Sequence, residues 1–114
     1  MFDVSMKMNA INRVVMNTPI EIFETSVVLI TNQETPDLYF NKGTLETKLN
    51  KYFAWNLSGY TEDYEVSYYY YVIEDHSYCS SGKCKGVDVK VETPIAFSGL
   101  YVRTMYYEIR GRGS

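Results

Sequence analysis

Beyond Gly59 the chain alternates between apolar and polar residues with a period of two. In the clearest run, 87–93, valines alternate with charged residues. This period is typical of β-strands with one buried face and one face in water. The runs at 64–73 and 100–109 alternate less sharply because tyrosines occupy both sides. The pattern predicts three strands, with the middle one ending at Pro94, since proline cannot donate to a strand ladder.

Upstream of Gly59 the apolar spacing is helical. Residues 2–16 and 44–57 both carry apolar side chains three or four positions apart, and Ser58-Gly59 supplies a stop for the second segment. Trp55 lies off the apolar stripe of that segment, so we expect its ring to be half-buried at the edge of the core.

The segment 19–31 carries two competing signals. Thr18-Pro-Ile-Glu21 predicts a helix start, with threonine as N-cap and glutamate closing a capping box. Residues 25–31 are rich in β-branched side chains, which favour a strand. We prefer the helix because the start signal is more specific than a propensity, and the strand stays as the alternative.

Helices that precede strands, rather than alternate with them, predict an α+β fold. We expect N-terminal helices packed on a C-terminal three-stranded antiparallel meander. A chain of 114 residues is sufficient for one domain with its own core, which we assign to residues 1–109. Residues 110–114 are expected to form a disordered tail.

The net charge and the hydropathy of the chain bear on two classes of partner, nucleic acids and membranes. The net charge is −3, and the basic residues are scattered rather than aligned along one stripe, which argues against nucleic acid. No apolar run approaches the roughly 20 residues of a membrane span, and the N-terminus lacks a secretory pattern. We expect either a cytoplasmic protein or a soluble piece of a longer precursor, with membrane contact only through a helix absent from this chain.

Cys79 and Cys84 flank the connection between two predicted strands. We predict a disulfide between them, which would place the chain outside the reducing cytosol. Two free thiols are one alternative. A zinc site with His76 and Asp75 is another, although the chain lacks a second well-spaced ligand pair. A redox dithiol would need a two-residue spacing.

Few other residues suggest chemistry. His76 as a general base would need a nucleophile and an orienting group, and a solvated loop histidine is the simpler interpretation. The acidic pairs Glu62-Asp63 and Glu74-Asp75 are typical of solvated strand ends. We therefore predict no catalytic residue, no metal site and no cofactor, with a zinc-assisted enzyme built on Asp75, His76 and the cysteines as the third hypothesis.

Tyrosine is the most unusual residue type, with 12 copies. In the run 68–71, Tyr68 and Tyr70 are predicted to enter the core. The other face is then predicted to form an interaction patch from four tyrosines: Tyr69, Tyr71, Tyr101 and Tyr107. Coverage of that face by another helix is the alternative.

The order of parts in residues 44–109 resembles a known family. A helix containing Leu45-Glu-Thr-Lys-Leu-Asn-Lys-Tyr-Phe53 precedes a strand and a cysteine-bearing loop, and Val87-Asp-Val-Lys-Val-Glu-Thr-Pro-Ile95 precedes a last strand. This arrangement is similar to the ectodomains of TadE-like pseudopilins and related minor pilin-like proteins of Gram-positive secretion and conjugation systems. The family carries an N-terminal membrane helix, which this chain lacks.

The resemblance implies an extracytoplasmic, non-enzymatic subunit of a cell-envelope secretion, pilus or conjugation apparatus, with protein partners in that assembly. No catalytic residue transfers from the family. The alternative is a soluble ligand-binding module with an aromatic-lined apolar pocket between the sheet and a helix.

Overall fold

The computed structural model describes residues 4–95 and 99–110. The elements follow in the order α1 (Val4–Met16), α2 (Ile20–Glu24), β1 (Val27–Ile30), β2 (Asp37–Phe40), α3 (Lys42–Leu57), β3 (Glu65–Tyr71), β4 (Gly86–Ile95) and β5 (Gly99–Glu108). The predicted α+β class is confirmed, with helices followed by a C-terminal three-stranded antiparallel sheet. Most of the predicted tail, residues 111–114, lies outside the described residues.

The C-terminal sheet is ordered β3–β4–β5, with β4 in the centre. Val89 pairs with Tyr68 on one side and Met105 on the other. The predicted end of the middle strand at Pro94 is wrong, because β4 continues to Ile95. The β3–β4 ladder has already ended at Glu92, so Pro94 lies where β4 pairs with β5 alone. Proline is tolerated at such a one-sided position.

Residues 19–31 contain both predicted structures. They form the short helix α2 and then strand β1, which pairs antiparallel with β2. The predicted cap is wrong: Pro19 occupies the N-cap position, and the Thr18 hydroxyl instead donates to the carbonyl of Val15 at 2.8 Å. Thr18 therefore closes the end of α1. The β-branched residues downstream are then free to enter a ladder.

Helix α3 supplies one wall of the core. It begins after Asn41, whose side chain accepts a hydrogen bond from the backbone N–H of Thr44. Four apolar residues at helical spacing are fully buried: Leu45, Leu49, Phe53 and Leu57. The expectation for Trp55 is wrong, since 82% of this residue is exposed. Its position on α3 points away from the buried stripe.

The sheet supplies the opposite wall through Val87, Val89 and Val91, which are all fully buried. Helix α1 contributes Ile11 and Val15 to the same core cluster. We call the side of the sheet that carries these valines the core face, and the opposite side the outer face.

Candidate functional site

The outer face of the sheet presents several exposed aromatic and apolar side chains. Strand alternation directs every second residue of β3, β4 and β5 to this face. Large side chains remain exposed there, including Leu100, Val102 and Tyr106, the last with 68% exposure. Helix α1 packs against β4 and β5 and contributes to the core cluster, so it lies on the opposite side.

The structure divides the four tyrosines that were predicted to form one patch. Tyr69 and Tyr71 lie on the outer face, with ring centroids 6.4 Å apart. Tyr101 and Tyr107 are directly opposite Thr93 and Val87, which are buried on the core face. Tyr107 stacks on Phe23 with a centroid distance of 4.8 Å. The predicted four-tyrosine patch is therefore wrong in its geometry.

Tyr71 is fully buried although it lies on the outer face. Its ring covers Gly86 on the neighbouring strand, where an added Cβ would overlap the ring carbons. Its hydroxyl continues across that glycine and donates to Oε2 of Glu108 on β5 at 2.8 Å. Burial raises the pKa of Tyr71, and the hydrogen bond and negative charge of Glu108 raise it further. Tyr71 is thus a neutral donor that links all three strands.

The connection after β3 folds back over Tyr71. His76 adopts a left-handed backbone with φ of 58°, and its ring stacks on Tyr71 with a centroid distance of 3.7 Å. His76 Nε2 lies 3.0 Å from Asp88 Oδ2, and the His76 carbonyl accepts a hydrogen bond from the Tyr69 hydroxyl. These contacts fix the connection against the sheet.

A short turn around His76 stabilises the same connection. The carboxylate of Asp75 accepts hydrogen bonds from the hydroxyl and the backbone N–H of Ser77. These bonds lower the pKa of Asp75. The next residue, Tyr78, forms an isolated antiparallel bridge with Tyr71 and is 62% exposed. Tyr78 therefore stands at the rim of the outer face.

The predicted disulfide between Cys79 and Cys84 is present, with the two Cα atoms 5.9 Å apart. Both cysteines are buried. The backbone on either side is tied to other strands, because the N–H of Cys79 donates to Tyr70 and the carbonyl of Cys84 accepts from Phe40. The bridge holds the loop between β3 and β4 against the body of the domain. It is compatible with an extracytoplasmic location.

His76, Tyr78 and Tyr106 join the outer-face site although they were not predicted for it. A signal for Tyr106 existed in the alternation of 100–109, but the sequence left open which side of that strand faces inward. No comparable signal existed for His76, because its contact with Tyr71 depends on a left-handed residue in a loop.

The described side chains at this site contact one another and the sheet. Asp88 orients the imidazole of His76, but within the described residues no serine, threonine or cysteine side chain bonds to that ring. The joined cysteines leave no thiolate for a metal. Across residues 4–95 and 99–110, no group of three histidine, cysteine or acidic side chains is arranged to hold a metal ion.

Comparisons with known proteins bring no relative: no family model, curated protein or solved structure matches the chain. In the described part of the chain, none of the helices combines the length and the hydropathy needed to cross a bilayer.

Proposed function

We propose that this chain is a non-enzymatic interaction domain that binds a protein partner through the outer face of its three-stranded sheet. The observation that carries the proposal is the exposure of Tyr78 and Tyr106 on either side of the fixed Tyr71–His76 pair. Aromatic side chains are enriched in protein interfaces because they bury large areas and keep a polar tip.

Preorganisation supports the same proposal. The outer-face connection is held by the His76–Asp88 hydrogen bond, the Tyr71–Glu108 hydrogen bond and the disulfide. A surface whose side chains are already ordered loses less conformational freedom when a partner binds.

A second, more specific part of the proposal concerns where the domain works and which assembly it belongs to. We propose that the domain works outside the cytosol, in a cell-envelope secretion, pilus or conjugation apparatus. This part of the proposal rests on the resemblance in the order of parts along the sequence, and the disulfide is compatible with a location outside the cytosol. A membrane helix outside this chain would tether the domain in that setting.

Photocrosslinking in the native host tests the proposal. A photoreactive amino acid at Tyr106 should crosslink a defined protein partner, whereas the same residue at Trp55, on α3, should not. Equal labelling from both positions would mean that the outer face is not the binding surface. Trapping thiols during cell lysis tests the location, since free Cys79 and Cys84 in the native host would contradict it.

The ligand-binding alternative has less support. The layer between α3 and the sheet is occupied by fully buried side chains such as Leu49, Phe53 and Val89. A cavity of about 510 Å³ lies at the end of the sheet instead, between Glu62, Glu92 and Leu100, and much of its lining is acidic. Among the described residues that line it, Tyr64 is the single aromatic one, whereas the alternative requires several.

A further inference from the structure

Strand β5 has a free edge. It pairs with β4 on one side, and no other strand of the described residues pairs with it on the other side. Edge strands are commonly protected from pairing by lysine, proline or a bulge. The sequence of β5, Gly-Leu-Tyr-Val-Arg-Thr-Met-Tyr-Tyr-Glu, contains neither lysine nor proline. The charged residues of β5 are Arg103 and Glu108.

A recess of about 290 Å³ lies along this edge, between the end of α1 and β5. Its lining includes Met16, Met105 and Tyr106. Met16 is 58% exposed although it is a large apolar side chain. Such surface favours burial by a second molecule.

Arg103 on β5 lacks a carboxylate partner in the described part of the chain. Its Nη2 lies 3.5 Å from the sulfur of Met16, and its Nε is buried with no hydrogen-bond partner among the described residues. Asp88 is bonded to His76 and Asp37 is paired with Lys85, so neither carboxylate contacts Arg103. A partly buried guanidinium without an acceptor is costly, so this side chain favours an incoming carboxylate.

Glu24 is a carboxylate that, like Arg103, has no oppositely charged partner among the described residues. It is exposed at the end of α2 and takes part in no ion pair among the described residues. The residue before it, Phe23, stacks on Tyr107 with a ring-centroid distance of 4.8 Å, which brings Glu24 near that tyrosine. Burial raises the pKa of Tyr107, and the charge of Glu24 raises it further. Glu24 therefore accompanies Tyr107 at the core-face side of β5.

We infer that two copies of this chain pair antiparallel through their β5 edges, with Met105 on the two-fold axis. In this register Arg103 lies opposite Tyr107 of the second copy, and therefore next to Glu24 of the second copy. The symmetry forms this contact twice. Placing Arg103 on the axis would instead set two guanidinium groups directly opposite each other, which is unfavourable.

The pairing joins the two sheets into one continuous sheet of six strands, with both core faces on the same side. The exposed Met16 side chains then approach each other near the axis. Self-association uses the edge of β5 and the proposed function uses the outer face, but Tyr106 borders both surfaces. The mass of the crosslinked product from Tyr106 distinguishes a second copy of this chain from a different protein partner.

A charge-swap experiment on the full chain tests the inference. Sedimentation across a concentration series should show a dimer for the unmodified chain. Glu24→Arg and Arg103→Glu should each weaken dimerisation by about tenfold or more, because each sets like charges together twice. Mixing the two variants should restore a dimer, since both contacts then join opposite charges.

A matched control separates the Arg103–Glu24 contact from a general effect of reversing a charge on α2. Glu21→Arg makes the same change on the same exposed helix and should leave the dimer intact. If Arg103→Glu does not fold, as judged by circular dichroism, the comparison of Glu24→Arg with Glu21→Arg decides alone. A chain that stays monomeric at every concentration, or a dimer that Glu24→Arg does not weaken, would overturn the inference.

Cysteine crosslinking tests the register. Met105→Cys should form an intermolecular disulfide under mild oxidation, because residues on the axis of an antiparallel pair have Cα atoms about 4.5–5.5 Å apart. Thr104→Cys should crosslink poorly. The reverse result would place the axis at Thr104 and exclude the Arg103–Glu24 contact.

Discussion

The two faces of the C-terminal sheet both carry tyrosines, yet they are stabilised in different ways. On the core face, Tyr70 is buried in the main cluster and its hydroxyl donates to Glu46 of α3 at 2.8 Å. On the outer face, Tyr71 is equally buried, but its partners are Gly86, His76 and Glu108 on the sheet and its own connection. Burial on the core face comes from other layers of the domain. Burial on the outer face comes from local contacts and a disulfide.

Because the two faces are buried in different ways, substitutions on them should change the stability of the domain by different amounts. Substitutions on the core face should lower the stability of the whole domain, because that face is continuous with the hydrophobic core. Substitutions on the outer face should disturb the connection after β3 and any binding there, at a smaller cost in stability. The outer face can therefore vary without loss of the fold.

The largest expected effect is on the core side. Phe53→Ala should lower the free energy of unfolding by about 3–5 kcal/mol, since it leaves a cavity between α3 and the sheet. Urea denaturation measures the loss. Trp55→Ala on the same helix is the matched control and should change stability by only about 0.5 kcal/mol. A similar loss from both variants would contradict the assigned core side of α3.

The disulfide should come next. The double variant Cys79→Ser with Cys84→Ser should lose about 2 kcal/mol, the value expected for a short closed loop. Thermal unfolding with and without reductant measures the loss. Reductant should lower the unfolding temperature of the unmodified chain and leave the double variant unchanged. An effect of reductant on the double variant would show that another process is responsible.

Removal of the Tyr71 hydroxyl should have a smaller effect. Tyr71→Phe loses a hydrogen bond to a carboxylate and should cost about 1.5 kcal/mol near neutral pH. Tyr69→Phe is the matched control, because it loses a longer bond to an exposed backbone carbonyl and should cost less. Urea denaturation of both variants makes the comparison.

The Tyr71 hydroxyl should also make the free energy of unfolding depend on pH. The pKa of Tyr71 is raised above its usual 10.0, so the folded state holds the phenolic proton more tightly than the unfolded chain does. This contribution is complete below pH 10.0 and decreases as the pH rises above it. Stability of the unmodified chain should therefore fall more steeply in alkaline solution than that of Tyr71→Phe. Equal slopes would contradict the buried, neutral state of this hydroxyl.

The smallest expected effect belongs to the rim of the outer face. Tyr106→Ser should change the free energy of unfolding by only about 0.5 kcal/mol, because the side chain is 68% exposed. With the photoreactive amino acid placed at the neighbouring exposed Tyr78 instead, the same variant should weaken the crosslink to the partner. A large loss of stability would show that Tyr106 is structural.

The apolar spacing predicted the long helices and strands, but it missed the short strand β2 and left the segment 19–31 ambiguous. Helices α1 and α3 and strands β3, β4 and β5 were predicted because their apolar spacing repeats over many residues. Strand β2 was not predicted, because four residues are too few to show a period. In the segment 19–31 the start signal and the β-branched run each described one half, and only pairing with β2 separated them.

The residues of the candidate site also divide into those that the sequence could predict and those that it could not. The cysteine pair could be predicted because both residues flank a connection between two adjacent strands. The face of Tyr101 and Tyr107 could not, because β5 carries apolar residues on both sides and its hydrophobic pattern does not choose between them. The ladder with β4 makes the choice, since Val87 and Thr93 direct their opposite neighbours to the core face.

The amino-acid sequence by itself determined the class of the fold, the α3 stripe, the valine face of β4 and the pair of cysteines. Each of these depends on local spacing, which a linear pattern can carry. Tertiary structure alone decided the burial of Tyr71, the exposure of Trp55 and the side of β5 that faces water. Those properties depend on which distant residue lies opposite, and strand register is set by the whole ladder rather than by any one segment.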